Sequence, residues 1–298
     1  MQRSPSHPPH ERLVLLAGAY GAVRRRQRLR LLLAFGVVTA LALLSAWVVQ
    51  LDPVRLLTHI GRFFDYFDRL LTLEAGDAAG QRVWMDPAEW FWGIRHWLLL
   101  LADTVLMAAV GTLLGTLGGA ALGLVSAGNL VRSPWLRRGA KRVLEFSRTV
   151  PEIVFALIFV IAFGLGPFPG VLAIAIHTLG ALGKLFSETV ENIDMKPVEG
   201  VAAAGASWLA MVRFGALPQV LASLAGYALL RFEINVRGAS VLGFVGAGGI
   251  GQDLIEAIRK FYYNDVAALL VLIIATVIVI DLLTGRLRAR LAGMEQPA

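Results

Sequence analysis

The sequence predicts an all-α, polytopic membrane protein with six transmembrane helices. Three observations carry that expectation. Hydrophobic residues make up 57% of the chain and charged residues only 16%, where soluble domains carry roughly 45–50% and 25%. The apolar residues collect in stretches that approach the roughly 20 residues a helix needs to cross a bilayer core. Between those stretches, Lys and Arg gather in segments that an even number of crossings places on one side, which the charge rule for short loops makes the cytoplasm. The same balance excludes a disordered chain, a nucleic-acid arm on a soluble core and an ordinary cytosolic enzyme.

The first span, Leu31–Val49, holds 19 residues without a charge. It is longer than the roughly 7–15 apolar residues of a secretory signal and follows a basic tail, so it reads as an uncleaved anchor. Seven Arg in residues 1–30 face one acid, Glu11. Their direct continuation into a span favours a topological role over nucleic-acid binding. Leu98–Ala127 is the second span, interrupted only by Asp103. Val150–Leu165 is a short third, extended backwards by a helix from Trp135. Phe168–Leu185 is the fourth. Pro218–Ala239 is the fifth and contains Arg231, Glu233 and Arg237; Val266–Thr284 is the sixth.

Six crossings place both termini in the cytoplasm, together with Arg132, Arg137, Arg138, Lys141 and Arg142 and the basic C-terminal Arg286, Arg288 and Arg290. Segment 50–96 falls outside, with five Arg against seven acids. Trp84, Trp90, Trp92 and Trp97 read there as an anchor in the headgroup layer. The chain divides into residues 1–97 (tail, anchor, external segment), a core at 98–290 with a cytoplasmic segment at 195–217, and a tail at 291–298.

The motifs argue against chemistry in this chain. Without cysteine there is no disulfide, thiolate metal site or cysteine nucleophile. HExxH and GxSxG are absent, and Gly180–Leu185 lacks the spacing and hydroxyl of a phosphate-binding loop, so the chain cradles no nucleotide itself. No catalytic residue and no metal site are expected. His177 stands alone in span four and reads as a packed, hydrogen-bonded residue. Gly246, Gly248, Gly249 and Gly251 match GxGxxG. They follow a charged span and not a strand, so they read as an unwound or tightly packed helix end. Gly115 and Gly119 form a GxxxG pair, a weak signal for a dimer.

A membrane-buried charge costs about 2.5–3.5 kcal/mol on insertion scales and usually faces protein or water. Arg231 and Asn235 share one face of span five; Glu233 and Arg237 share another. Glu233 and Arg237 pair along the helix in the structural reading, which leaves Arg231 as excess positive charge. In the functional reading Arg231, Glu233, Asn235, Arg237 and Ser240 line an electropositive step for an anion that guanidinium matches in shape. Arg148 and Glu152 pose the same question nearer the cytoplasm, and a structural pair is expected there.

Between spans four and five, Pro197–Pro218 holds good helix formers around Gly205. Glu199 is placed early in a helix, where a carboxylate is favoured. Gly205 sits at a sharp turn and Pro218 at the start of the next helix. A short surface helix pair results, with Ala206, Trp208, Leu209 and Met211 available to a partner. This stretch resembles the EAA loop of ABC importer permeases, E-A-A-x₃-G-x₉-I-x-L-P. Glu199, Gly205, Leu217 and Pro218 fall on that pattern; Gly200, Val201 and Gly215 depart from it. Arg148-Thr-Val-Pro-Glu152 and the block Arg231–Gly251 further resemble permease subunits of phosphonate and phosphite importers, and the similarity spans roughly residues 98–290.

The resemblance implies a type I ABC importer permease fold in a bacterial inner membrane. It also implies a cytoplasmic coupling loop at 195–217 that docks on a separate ATPase subunit. ATP and Mg would sit on that partner and no cofactor on this chain. The implied assembly is two permease copies, two ATPases and a periplasmic phosphonate- or phosphite-binding protein, embedded in lipid and without nucleic acid. A methionine or other small-solute permease and an intramembrane lipid-phosphate enzyme are the alternatives. The Arg231–Gly251 block speaks against the first, and the missing catalytic constellation against the second.

Overall fold

The computed structural model describes residues 9–74 and 79–293. Arg3 of the basic tail, Asp77 of the external segment and the end of the 291–298 tail lie outside the described residues. Regular structure among the described residues is helical, apart from one isolated bridge between Thr72 and Arg82. The chain forms two units, divided after Asp65.

The first unit holds α1 (Pro9–Val48) and most of α2 (Pro53–Leu70). The membrane-length part of α1 is Val23–Val48. The expected anchor is thus the second half of a longer helix, because the Arg24–Arg30 run is itself a good helix former. The chain turns at Gln50, with φ at 55°. Asp52 then accepts the Arg55 N–H at 3.0 Å and starts α2. Leu57, Ile60 and Phe64 lie on one face of α2, with Arg55, Arg62 and Asp65 on the other.

The second unit is a helical bundle. After the short α3 (Pro87–Trp90), α4 (Ile94–Ser126) and α7 (Pro167–Glu191) form its closest pair. A Cβ on Gly115 would meet Thr178 at 2.6 Å, and one on Gly119 would meet the Gly183 nitrogen at 3.0 Å. The GxxxG pair therefore serves a contact within the chain. Of the tryptophans expected in the headgroup layer, Trp84 and Trp92 are exposed and Trp97 is not. Trp97 is 3% exposed and packs with Leu101, Ile250 and Val266. Trp90 and Trp92 donate their ring N–H to Asn264 and Asp265 at the start of α12 (Tyr263–Gly293).

The expected third span is broken. α5 (Pro134–Thr149) and α6 (Glu152–Phe163) meet at 88°. Pro151 forces the break, since the residue before a proline is pushed out of helical geometry, and Val150 is extended. The 12 residues of α6 rise about 18 Å, short of the roughly 30 Å hydrocarbon core. The pair nevertheless runs from one end of the bundle to the other. α5 starts beside Gly128, where Arg137 donates to the Gly128 carbonyl at 3.3 Å. α6 ends beside Gly246, whose carbonyl accepts from Gly166 N–H at 3.0 Å.

The segment between α7 and the fifth span also differs from the expected surface pair. α8 (Met195–Ala203) is one surface helix. Gly205 turns the chain with φ at +78°, as the sharp bend requires. From α9 (Trp208–Ala210) the chain passes through a π-helical stretch, Met211–Ala216, into α10 (Leu217–Leu242) without leaving helical geometry. Trp208–Val245 together make 38 residues of membrane-length helix. Gly246, Gly248 and Gly249, all at positive φ, then fold the chain back into α11 (Ile250–Lys260). This is the tight helix end expected of the glycines, and the Ile250 N–H closes it on Thr104 Oγ1 at 2.9 Å.

Candidate functional site

Two regions hold the residues singled out above. The first is a polar node beside the α5–α6 break. Glu152 opens α6, His177 lies on α7, and Arg231 and Asn235 lie one turn apart on α10. The Arg231 guanidinium hydrogen-bonds His177 Nδ1, and its Nε donates to Thr178 Oγ1 at 3.4 Å. Because Arg231 can only donate, that ring nitrogen is an acceptor. His177 Nδ1 lies 3.8 Å from a Glu152 carboxylate oxygen. Asn235 is fully buried and donates to Thr112 and Thr178, each at 2.8 Å. One hydrogen-bonded network therefore joins α7, α10 and α4, with the Glu152 carboxylate of α6 beside it.

Two expectations change here. Glu152 faces the charge of Arg231, not of Arg148, and its carboxylate oxygen lies 3.8 Å from His177 Nδ1 without a hydrogen bond to it. Arg231 is consequently not an uncompensated charge: the Glu152 carboxylate lies on the same nitrogen side of the imidazole. The network still has open valences. Glu152 Oε1 and Asn235 Oδ1 are buried atoms without a hydrogen-bond partner.

Glu233 and Arg237 pair along α10, as their spacing predicts, and Arg288 of α12 adds a second contact to Glu233 at 3.2 Å. Ser240 bonds back to the Val236 carbonyl at 3.2 Å. α10 thus carries two polar faces. Arg231 and Asn235 look toward α4 and α7, while the Glu233 group looks toward α12. Only the first meets the helix break. His177, Thr112 and Thr178 complete that face, and the readable signal for them was a titratable ring and hydroxyls placed inside apolar stretches. Gly246, Gly248, Gly249 and Gly251 stand apart, at the opposite end of α6.

The second region is the segment at 195–217. Glu199 is the fifth residue of α8, and the helix start belongs to Asp194, whose Oδ1 accepts the Lys196 N–H at 3.0 Å. The placement of Glu199 at a helix start is therefore corrected. Glu199 and Leu209 are exposed and Ala206 is half-buried. Trp208 donates its ring N–H to the Leu130 carbonyl at 3.0 Å and, with Met211, borders an apolar cavity shared with Leu130 and Leu136. Leu217 and Pro218 begin α10. The departure at Gly215 has a physical reason: a Cβ there would come within 2.8 Å of the Val198 Cα, so only glycine lets α8 lie against this helix.

Comparisons with known proteins agree with this architecture. Residues 119–293 match the family model described as the binding-protein-dependent transport system inner membrane component. The chain is 37% identical to the phosphite transport system permease protein PtxC of Stutzerimonas stutzeri over 282 residues, 94% of this chain and 95% of that one. It is 32% identical to the phosphate-import permease protein PhnE of Mycolicibacterium smegmatis, covering 83% of this chain and 43% of that one. Among solved structures, the inward-facing MetNI methionine ABC transporter superposes with a TM-score of 0.57 at 21% identity, over 69% of this chain and 98% of that one. That likeness speaks for the fold, a type I ABC importer permease. On the family match and the near full-length identity, the chain belongs to the inner membrane components of binding-protein-dependent transport systems, and is a transport subunit and not an enzyme.

Proposed function

We propose that this chain moves phosphonate-type oxyanions (phosphonate, phosphite or similar) into the cytoplasm by alternating access, as one of two permease copies. Two cytoplasmic ATPases and a periplasmic binding protein complete the assembly. The observation that carries the reading is Arg231, a guanidinium held by the neutral side of His177 and by Thr178 inside a membrane-length helix. Guanidinium matches a tetrahedral oxyanion in shape and stays charged without water. A broken helix beside it supplies the irregular backbone that membrane transport sites use. The similarity to a phosphite permease and a phosphate-import permease supports the same substrate class. The methionine alternative has weaker support: 27% identity over 210 residues to a probable D-methionine permease, and a fold likeness at 21% identity.

Energy enters through the 195–217 segment. ATPase closure moves α8, and the Val198–Gly215 contact passes that movement to the helix that carries Arg231. The test is Arg231→Gln in the assembled transporter. Insertion and ATPase binding are retained, and oxyanion uptake falls by about tenfold or more, as expected for loss of about 1.4 kcal/mol or more at a rate-limiting step. Wild-type uptake by a correctly inserted variant would make Arg231 a structural residue only.

A further inference from the structure

We propose that a second station for a phosphoryl-type oxyanion lies at the inner end of the path, in the cavity around Arg148. This rests on the anion-path reading of Arg231 and extends it toward the cytoplasm. The cavity has a volume of about 240 Å³ and lies between the ends of α4, α5 and α7, bordered by Lys141, Glu145, Arg148, Lys184, Glu188 and Glu191. It sits at the coupling end of the bundle, where Glu191 accepts the Gly128 N–H at 2.8 Å and Val190 packs with Val198 and Val212. A water occupies about 30 Å³ of liquid, so the space admits a small oxyanion together with part of its hydration shell.

Charge accounting picks out one residue. Each bordering carboxylate has its own cation: Glu145 has Arg142 at 2.6 Å, Glu188 has Lys184 at 3.5 Å and Glu191 has Lys141 at 3.3 Å. Among the described residues no hydrogen bond or ion pair joins the Arg148 side chain, so the cavity keeps one unmatched guanidinium. A basic residue in the last turn of a helix has a bland role, complementing the helix dipole. The position says more. The Arg148 backbone lies against Gly180, one turn along α7 from His177, whose ring bonds Arg231. An anion released by Arg231 therefore meets Arg148 next. Two weak stations in series suit transport better than one strong one, since an ion held too firmly does not leave.

The chain lacks cysteine, so a thiol introduced by Glu145→Cys reports the cavity alone; its partner Arg142 does not border the space. The permease–ATPase complex, in nanodiscs of neutral phosphatidylcholine, is treated with a soluble thiol reagent with and without methylphosphonate. Sodium chloride controls for ionic strength. Methylphosphonate is expected to slow modification about fivefold or more. Protection should persist with Arg231→Gln, weaken with Arg148→Lys and vanish with Arg148→Gln. A parallel set in phosphatidylglycerol nanodiscs distinguishes the source of the phosphoryl group. Arg148-dependent protection by methylphosphonate supports a transport station. Protection by the anionic lipid alone assigns the cavity to a headgroup and overturns the station. No protection, or protection that survives Arg148→Gln, overturns the site altogether. Loss of uptake in Arg231→Gln without protection at the cavity would leave the anion path standing and remove only its second station.

Discussion

Asn235 shows how one buried amide fixes the site. Its Nδ2 donates to hydroxyls on two different helices, Thr112 of α4 and Thr178 of α7, and Thr178 in turn accepts from Arg231. Leucine has the same branched heavy-atom skeleton but no donor. Asn235→Leu should therefore cost about 1–3 kcal/mol through lost buried hydrogen bonds and should lower the thermal midpoint of the detergent-purified permease. Because Thr178 also orients Arg231, uptake should fall by more than the loss of folded protein explains. Uptake that tracks only protein amount would separate the amide from the path. The sequence placed Asn235 and Arg231 on one face by their spacing of four. It could not place His177 or Glu152 beside them, because those contacts span more than fifty residues and depend on how the broken α5–α6 pair crosses α7. The same blindness produced the mistaken Arg148–Glu152 pair: a spacing of four suggests a helical contact, yet Pro151 lies between them and breaks the helix.

At the scale of elements, two glycines of the 195–217 segment act for different reasons. Gly205 has open space around it, but its φ of +78° is a conformation that side chains resist. Gly205→Val should store about 1–2 kcal/mol of backbone strain and shift α8 off its ATPase partner. Gly215 has ordinary helical geometry and no space, since its neighbour is the Val198 backbone itself. Gly215→Ile restores the residue usual in the EAA pattern, yet it should push α8 away and uncouple transport. Val198→Ala should not rescue it, because trimming a side chain does not remove a Cα. Both effects are read as ATPase activity of the lipid-embedded complex with and without loaded binding protein: basal turnover persists and stimulation is lost. Wild-type stimulation in Gly215→Ile would mean that α8 does not transmit the stroke through this contact. The sequence showed that Gly215 breaks the pattern, and only the packing of α8 shows why. The membrane-length helices were legible from apolar length, whereas the amphipathic α2 and the second half of the 195–217 segment were not. Trp208–Ala216 was expected on the surface, but Val212, Gly215 and Ala216 are buried and continue the fifth span inward.

For the whole molecule the open quantity is the number of crossings. Among the described residues five helices are long and apolar enough to cross alone, and the α5–α6 pair makes a sixth only if its bent halves count as one passage. Parity turns on that pair. With six crossings, the basic runs at Arg24–Arg30, Arg132–Arg142 and Arg286–Arg290 all share a side. With five, the first two are parted from the third. The packing favours six, because α5 begins near Glu191 and α6 ends against Gly246, at opposite ends of α7. Single cysteines in this cysteine-free chain test it directly. Leu165 is 76% exposed in the turn after α6, so Leu165→Cys should react with an impermeant thiol reagent added outside intact cells, as should Ala79→Cys in the external segment. Ala204→Cys, in the exposed turn of the coupling segment, should react only after the membrane is opened. Reaction of Ala204→Cys from outside would invert the orientation and remove the ATPase contact from the cytoplasm. If Leu165→Cys instead reacts only from within while Ala79→Cys reacts from outside, the pair is a re-entrant loop. The Arg231 node would then lie at the floor of an inward pocket and not along a continuous path.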